Sequence, residues 1–137
     1  RAINTLDSMI GYHGRYEYLG KASARFDDLV NLIPSRLAGL LLVIASLVLP
    51  GQKASDAWRI MLRDHGKTES PNAGWTMSGM AGALGVELEK ADHYRLGDAR
   101  RQVEPEDITR TVRTMYVVAG AGLLLALGIT YLRSGIW

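Results

Sequence analysis

Two adjacent carboxylates, an amide and a guanidinium stand at the mouth of an apolar stretch of the chain. Asp27 and Asp28 are followed by Asn31 and Arg36, and residues 37–49 carry no charge. On a helix, Asp27 and Asn31 share a face because they are four residues apart, with Asp28 beside them. Such oxygen ligands suit Mg²⁺, which takes one or two carboxylates and often substrate phosphate. The pattern predicts a polar site built against a membrane, with a structural ion-pair cluster as the alternative.

Two further segments carry polar side chains that could bind ligands. Asn4 and Asp7 lie in a short polar stretch near the start, which an ordinary helix cap or solvated turn would also explain. Ser70, Asn72 and Gly74 form a turn before an expected helix, and the amides at a helix N-terminus are a ready anion site. A capped loop without a ligand is the alternative there.

The other ionisable residues form no fixed catalytic motif. His13, His65 and His93 are far apart and lack metal-ligand spacing, so surface or packing roles are expected for them. Arg25 flanks the paired carboxylates. Arg100 lies in a charge cluster that is expected to be solvated, although its guanidinium could bind phosphate.

Composition limits the class of protein. The 137 residues are enough for one domain, and a net charge of +2 without a basic block argues against nucleic acid as a partner. The absence of cysteine excludes disulfides and thiolate metal sites. No basic segment followed by an apolar one opens the sequence, so no signal peptide is expected. The 15 glycines suggest close helix packing or backbone brought near a ligand.

The apolar runs predict an all-α, integral membrane helical protein with a polar helical loop region. Residues 1–36 form the polar motif region, and residues 37–49 form an apolar helix too short for a normal span, hence interfacial or re-entrant. Residues 51–115 form a polar helical region. Residues 116–132 are uncharged, long enough to span and bounded by tyrosines, which predicts a transmembrane helix.

Local signals suggest where the helices begin and end. Pro34 and Pro50 should bracket the short apolar helix. A capped helix is expected over residues 55–65 and a small-residue helix over residues 76–86. Pro105 should open the last helix, because proline fits the first turn. No period-two pattern predicts a strand.

Several blocks occur in an order and spacing that resemble one membrane-protein family. They are residues 4–12, residues 22–28 with Asn31, Pro34 and Arg36, residues 70–75 with residues 81–86, and Tyr94 with Gly97. These blocks resemble the CobD/CbiB family of cobalamin biosynthesis, the adenosylcobinamide-phosphate synthases. Family members are about twice as long, so residues 1–137 resemble one domain from the C-terminal half, with the N-terminal half of the same protein as a partner.

The resemblance implies an ATP-dependent acid–amine ligase. The enzyme would be a multi-pass protein of the cell membrane, and it could form homo-oligomers. Its substrates would be adenosylcobyric acid and (R)-1-amino-2-propanol phosphate, or threonine phosphate, and its product adenosylcobinamide phosphate. An unactivated carboxylate accepts an amine poorly. Phosphorylation would activate it as an acyl phosphate, and Mg²⁺ would offset the crowded charge.

The resemblance also suggests roles for the polar residues. Asp7, Asp27 and Asp28 are expected to be catalytic, with the last two holding Mg²⁺. The residues expected to bind phosphate and substrate are Asn4, Arg25, Asn31, Arg36, Ser70, Asn72, Gly74 and Arg100.

Two other classes of protein remain open. One is a non-enzymatic, AmpE-like membrane subunit or regulator that keeps the same scaffold. The other is a transporter, in which intramembrane charges mark an ion path. If residues 4–28 and 70–75 form one site, they must lie on the same membrane side, so residues 37–49 should not make a single full crossing.

Overall fold

Five helices and one β-hairpin make up the described part of the chain. The structure, a computed structural model, describes residues 17–135 and the side chains of residues 24–135. The elements in chain order are α1 (Glu17–Val30), α2 (Leu32–Val48), α3 (Ala54–Asp64), a 3₁₀ turn (His65–Lys67), α4 (Ala73–Leu84), β1 (Glu87–Lys90), β2 (Tyr94–Gly97) and α5 (Pro105–Ser134). The helical class expected from the sequence is confirmed apart from the hairpin.

A bend separates α1 from α2. The two helices meet at 49° around Asn31. Pro34 lies in the first turn of α2 and has no backbone N–H to donate to the Val30 carbonyl, so the helix cannot continue unbroken. Asn31 covers the break, because its side-chain Nδ2 donates to the Asp27 carbonyl at 3.0 Å. The expected apolar helix over residues 37–49 therefore belongs to a longer helix that begins before Pro34.

Helix α4 is the centre of the core. A Cβ on its Gly82 would lie 2.5 Å from the Asp56 carbonyl oxygen and 2.8 Å from Ile60 Cβ, so the backbones of α3 and α4 are in direct contact. The buried core around this contact contains Leu42, Ala57, Met80, Ala83, Leu84 and Val86. The packing holds both ends of α4 in fixed positions relative to α2 and α3.

Helix α4 ends at Leu84, and the next residue, Gly85, caps it with a positive φ of 68°. There the Val86 N–H donates to the Ala81 carbonyl and the Gly85 N–H to the Gly82 carbonyl, a hydrogen-bond pattern typical of a glycine C-cap. The helix expected over residues 76–86 thus starts and stops slightly earlier than the sequence suggested.

A short antiparallel hairpin follows α4, and the expectation that the chain has no strand is wrong. In β1 and β2, Glu87 pairs with Gly97 and Lys90 with Tyr94, around a three-residue turn in which Asp92 has φ of 60°. Each strand has only four residues, so an alternating pattern has no room to develop. Leu96 is fully buried and fastens the hairpin to the bundle.

Helix α5 runs along α2 and then leaves the bundle. It begins at Pro105, as the sequence predicts, and the Glu104 and Asp107 side chains form a capping box. Thr114 accepts a hydrogen bond from Gln52, which follows the end of α2, while Val118 lines a groove with Ala38, nearer the start of α2. The two helices are therefore antiparallel.

Beyond this contact, the side chains of residues 123–135 are exposed. By length and composition, α5 is the one unbroken helix within residues 17–135 that could cross a membrane, and the bent pair of α1 and α2 could form a second span or a re-entrant loop. The segment expected to be transmembrane, residues 116–132, lies entirely within α5. On α2, an apolar face made of Leu37, Leu40, Ile44 and Leu47 is also exposed.

Candidate functional site

The turn before α4 meets the end of α1. Asn72, which is only 8% exposed, donates from Nδ2 to the Asp28 carbonyl at 2.8 Å and to the Asp28 carboxylate at 3.2 Å. Ser70 Oγ donates to the same carboxylate oxygen at 3.1 Å. Two of the segments singled out in the sequence, 44 residues apart at Asp28 and Asn72, thus form one polar cluster.

The other end of the Asn72 amide faces α2. Its Oδ1 accepts a hydrogen bond from Arg36 Nη1 at 3.1 Å and lies 3.1 Å from Ser35 Oγ. Asn72 therefore stands between a carboxylate and a guanidinium and is bonded to both. Since its amide nitrogen and oxygen both have protein partners, Asn72 organises the cluster.

An aromatic pair lies beside this cluster. The Arg36 guanidinium carbon is 5.1 Å from the Trp75 ring centroid, a distance at which the cation is attracted to the ring. The His65 ring lies 4.3 Å from the same indole, tilted by 38°. His65 Nδ1 is 3.1 Å from the Met61 carbonyl, so His65 packs at the end of α3. Within the described side chains, Trp75 Nε1 is a buried nitrogen without a hydrogen-bond partner.

Gly74 allows the turn to pack this closely. A Cβ at Gly74 would lie 1.9 Å from the His65 carbonyl oxygen and 2.9 Å from Thr68 Oγ1. Thr68 Oγ1 in turn donates to the Ser70 carbonyl at 2.7 Å. Gly74 thus has a steric role, in that it lets α4 begin against the 3₁₀ turn and so sets the position of Ser70.

The remaining expected site residues that the structure describes make none of the contacts of the Asp28–Asn72 cluster described above. Asn31, Asp27 and Arg25 lie at or near the end of α1, with Asp27 half-buried and Arg25 exposed. Asn4 and Asp7 lie outside the described residues.

Arg100 is remote from the Asp28 cluster. It bonds Asp56 at 2.7 Å, in the first turn of α3, whereas Trp75 packs on His65, just past the other end of that helix. The 11 residues of α3 span about 16 Å at ~1.5 Å per residue. The structure therefore does not bring Arg100 to the polar cluster.

A network of ion pairs around the buried Asp64 ties the hairpin to α3, and no pattern in the sequence had predicted it. Asp64 is fully buried and accepts hydrogen bonds from Arg63 Nε at 2.8 Å and from the Gly97 N–H at 2.9 Å, with Lys67 Nζ 2.6 Å away. The Arg63 hydrogen bond holds the pKa of Asp64 well below its usual range. The adjacent Arg63–Asp64 pair, with Lys67 three residues on, was the available signal, but its partner Gly97 is distant in sequence.

A second ion-pair cluster fixes the start of α5. Asp107 is nearly buried, accepts a hydrogen bond from Arg101 Nη1 at 2.7 Å and accepts another from the Glu104 N–H at 2.9 Å. The Arg101 hydrogen bond lowers the pKa of Asp107 well below its usual range. Asp64 and Asp107 both fasten elements together, and each lies outside the Asp28 cluster.

Comparison with known proteins identifies the family of the chain. Residues 1–115 match the profile of the family described as CobD/Cbib protein. The chain belongs to the CobD/CbiB family. It is 49% identical over 131 residues to the cobalamin biosynthesis protein CobD of Dehalococcoides mccartyi, an alignment that covers 96% of this chain and 42% of that protein.

Other CobD/CbiB proteins are similar over the same extent. The cobalamin biosynthesis protein CobD of Klebsiella pneumoniae is 41% identical over 144 residues, with coverage of 98% of this chain and 45% of that protein. The cobalamin biosynthesis protein CbiB of Salmonella typhimurium is 41% identical over 148 residues, with coverage of 99% and 45%. The chain spans less than half the length of these relatives. No solved structure matches it.

The donor set of this CobD/CbiB chain limits the kind of metal it could hold. Within the described side chains, no group of three or more His, Asp or Glu residues is arranged around a metal position. Asp27 and Asp28 offer two adjacent carboxylates, and this fits Mg²⁺, which commonly takes one or two protein carboxylates and fills its other positions with water and substrate phosphate. A single carboxylate such as that of Asp28 would be a sufficient protein ligand for a Mg²⁺ ion of this kind.

Proposed function

We propose that this chain is part of an ATP-dependent ligase of cobalamin biosynthesis. The enzyme joins (R)-1-amino-2-propanol phosphate, or threonine phosphate, to adenosylcobyric acid and gives adenosylcobinamide phosphate. The observation that carries the proposal is the Asn72 amide, which holds the Asp28 carboxylate on one side and the Arg36 guanidinium on the other. A ligase of this type needs both charges close together, because it must bind phosphates and the metal that accompanies them.

The reaction has two chemical steps. The substrate carboxylate first takes the terminal phosphoryl group of ATP, and ADP leaves. The amine then attacks the acyl phosphate, forms the amide and releases inorganic phosphate. Mg²⁺, when bound with ATP, would neutralise part of the phosphate charge.

The residues of the cluster would divide this work by charge. Asp27 and Asp28 would hold the metal, and Ser70 and Asn72 keep one Asp28 oxygen fixed by hydrogen bonds. Arg36 would bind phosphate oxygens, as guanidinium groups commonly do. Because Asp28 and Arg36 are already oriented by protein contacts, binding would need little rearrangement of these two side chains.

We further propose that the protein lies in the cell membrane. Residues 116–132 of α5 would span the bilayer, since α5 is long and apolar enough to do so. The contact between Asp28 and Asn72 supports a path in which α2 and α3 leave the cluster and return to it. Such a path agrees with α2 being interfacial or re-entrant.

The test is product formation by the complete gene product in detergent. The protein is incubated with adenosylcobyric acid, aminopropanol phosphate, ATP and Mg²⁺, and the corrinoid is followed by mass spectrometry. We expect a mass gain equal to the amine minus water, absent without ATP. Asp28→Asn should lower the rate about 100-fold or more, as expected when charge stabilisation of the transition state is lost.

Arg95→Lys is the matched control, because Arg95 pairs with Glu89 on the exposed hairpin, and its rate should be unchanged. No product with either amine from folded protein would contradict the proposal. That outcome would favour a non-enzymatic membrane subunit on the same scaffold.

A further inference from the structure

The Arg36 guanidinium is held by one of its nitrogens. Nη1 donates to the Leu32 carbonyl at 2.6 Å, to Ser35 Oγ at 3.1 Å and to Asn72 Oδ1 at 3.1 Å. Within the described side chains and backbone, the hydrogen bonds of Arg36 all use Nη1. The N–H groups on Nε and Nη2 lie along one edge of the planar group and match two oxygens of a phosphate or a carboxylate.

The face of the same guanidinium is fixed as well. Its carbon lies 5.1 Å from the Trp75 ring centroid, and Trp75 is itself packed by the His65 ring. Trp75 also sits close against α2, because a Cβ on Gly39 would lie 3.5 Å from Trp75 Cβ. A free arginine side chain loses considerable rotamer entropy when it binds a ligand, and this arginine has already lost much of it.

We propose that Trp75 and Ser35 are positioning residues that, with Asn72, present the Nε–Nη2 edge of Arg36 as a two-point site for a phosphate group. This inference rests on the proposed function, in which ATP and the amine substrate both carry phosphate. Helix α4 begins at Ala73, directly after Asn72, so its first N–H groups add donors at the same end of the bundle. A tetrahedral phosphate can bond the arginine edge with two of its oxygens.

Direct binding tests the site without requiring catalysis. In the complete protein, every tryptophan other than Trp75 is replaced by phenylalanine, which within residues 1–137 means Trp58→Phe and Trp137→Phe, so that the emission reports on Trp75 alone. We expect inorganic pyrophosphate to change the Trp75 emission saturably, and propionate, a carboxylate, to act only at much higher concentration. Arg36→Lys should weaken pyrophosphate binding about tenfold or more, because lysine keeps the charge and loses the two-point geometry. The control Arg95→Lys should bind like the parent.

Steady-state kinetics test the positioning residues. Ser35→Ala and Trp75→Leu should raise KM about tenfold for one phosphate substrate and leave kcat within about twofold, since they disturb binding and not the reacting groups. Ser35→Thr and Trp75→Phe should restore KM, because they keep the hydroxyl and the aromatic face. A raised KM for ATP identifies its phosphates as the ligand, and a raised KM for the amine identifies the amine phosphate.

Three results would overturn the proposal. These are equal pyrophosphate affinity in the parent and Arg36→Lys, propionate binding as tight as pyrophosphate binding, and equal effects of Trp75→Leu on kcat and on every KM. Absence of ligase activity combined with Arg36-dependent pyrophosphate binding has a different meaning. It would reject the proposed reaction and retain the phosphate site.

Discussion

The Asn72 side chain donates to the Asp28 backbone carbonyl and to the Asp28 carboxylate, at 2.8 Å and 3.2 Å. A single amide therefore fixes both the end of α1 and the direction of its last acidic side chain. Since Asn72 is almost entirely buried, water cannot replace these hydrogen bonds without opening the cluster.

We predict that Asn72→Asp is more damaging than Asn72→Ala. Alanine removes the hydrogen bonds and should lower the free energy of unfolding by about 1–3 kcal/mol. Aspartate places a second carboxylate against Asp28, and the repulsion adds to that loss. Thermal unfolding in detergent measures the order. Equal stability of the two variants would contradict the expected repulsion, and an Asn72→Ala variant as stable as the parent would show that the Asn72–Asp28 contact contributes nothing. Glu69→Ala, in the same turn but largely exposed, serves as the control.

Gly74→Ala should disrupt the start of α4. Its Cβ would lie 1.9 Å from the His65 carbonyl oxygen, a backbone atom that cannot rotate away. We expect a loss of about 3 kcal/mol, the upper part of the range for overpacking, together with loss of activity. Gly66→Ala is the matched control, because no atom lies within 4 Å of a Cβ there. Unfolding curves of the two variants should separate clearly, and coincident curves would contradict the close contact.

Asp64→Asn should loosen the hairpin. The substitution removes the charge that bonds Arg63 and Lys67 while the site stays buried. The expected loss is about 3 kcal/mol, the lower end for a broken buried ion pair, because both cations remain half exposed. Hydrogen exchange of the β1 and β2 amides should rise most. Glu89→Gln, which breaks an exposed pair with Arg95, should cost ~1 kcal/mol or less.

Acid should weaken the fold from a defined pH downward. The pKa of Asp64 is lowered chiefly by its hydrogen bond from Arg63, and the pKa of Asp107 chiefly by its hydrogen bond from Arg101. A lowered pKa in the folded state contributes stability that is complete about one pH unit above the unfolded value near 3.8 and is lost as the pH falls through that value toward the folded one. The melting temperature should therefore decline below about pH 5. The melting temperature of Asp64→Asn should fall less steeply with decreasing pH than that of the parent. An equal slope would show that protonation of Asp64 does not cause the acid sensitivity.

The proposed span of α5 can be tested by thiol labelling. Residues 1–137 contain no cysteine, and any cysteine elsewhere in the complete protein is replaced by serine, so each introduced cysteine reports alone. Val103→Cys and Gly135→Cys flank α5 at exposed positions. In intact cells, a membrane-impermeant reagent should label one of them and leave the other until the membrane is opened. Labelling of both from the same side would rule out a crossing by residues 116–132.

The elements that the sequence predicted well have strong local signals. Pro105 marks the start of α5 because proline fits only the first turn of a helix. Residues 116–132 form one continuous uncharged run, so their helical state needs no tertiary information. The hypothesis of a single site over residues 4–28 and 70–75 required Asp28 and Asn72 to lie close together, and their side chains are hydrogen-bonded in the folded chain.

Other features depend on contacts between distant residues and could not be predicted. The hairpin is held by Leu96, whose burial comes from the helices beneath it and not from alternation along the strand. Trp75 and Ser35 hold Arg36 only because α4 starts beside α2, and neither residue type signals such a role by itself. Arg100 was expected in a solvated charge cluster with phosphate binding as an option, and in the folded chain it pairs with Asp56, which is distant in sequence.

Arg36 and Asn72 are in contact although most of α2 and all of α3 lie between them along the chain. An insertion or deletion in these helices would therefore disturb the site. One residue inserted in α2 after Gly39 would rotate Ser35 and Arg36 by about 100° relative to the rest of the bundle and move them off Asn72. An insertion in the three-residue turn of the hairpin would leave the positions of Arg36 and Asn72 unchanged. Natural variation in chain length should therefore collect at the hairpin tip, while α2 keeps a fixed number of residues.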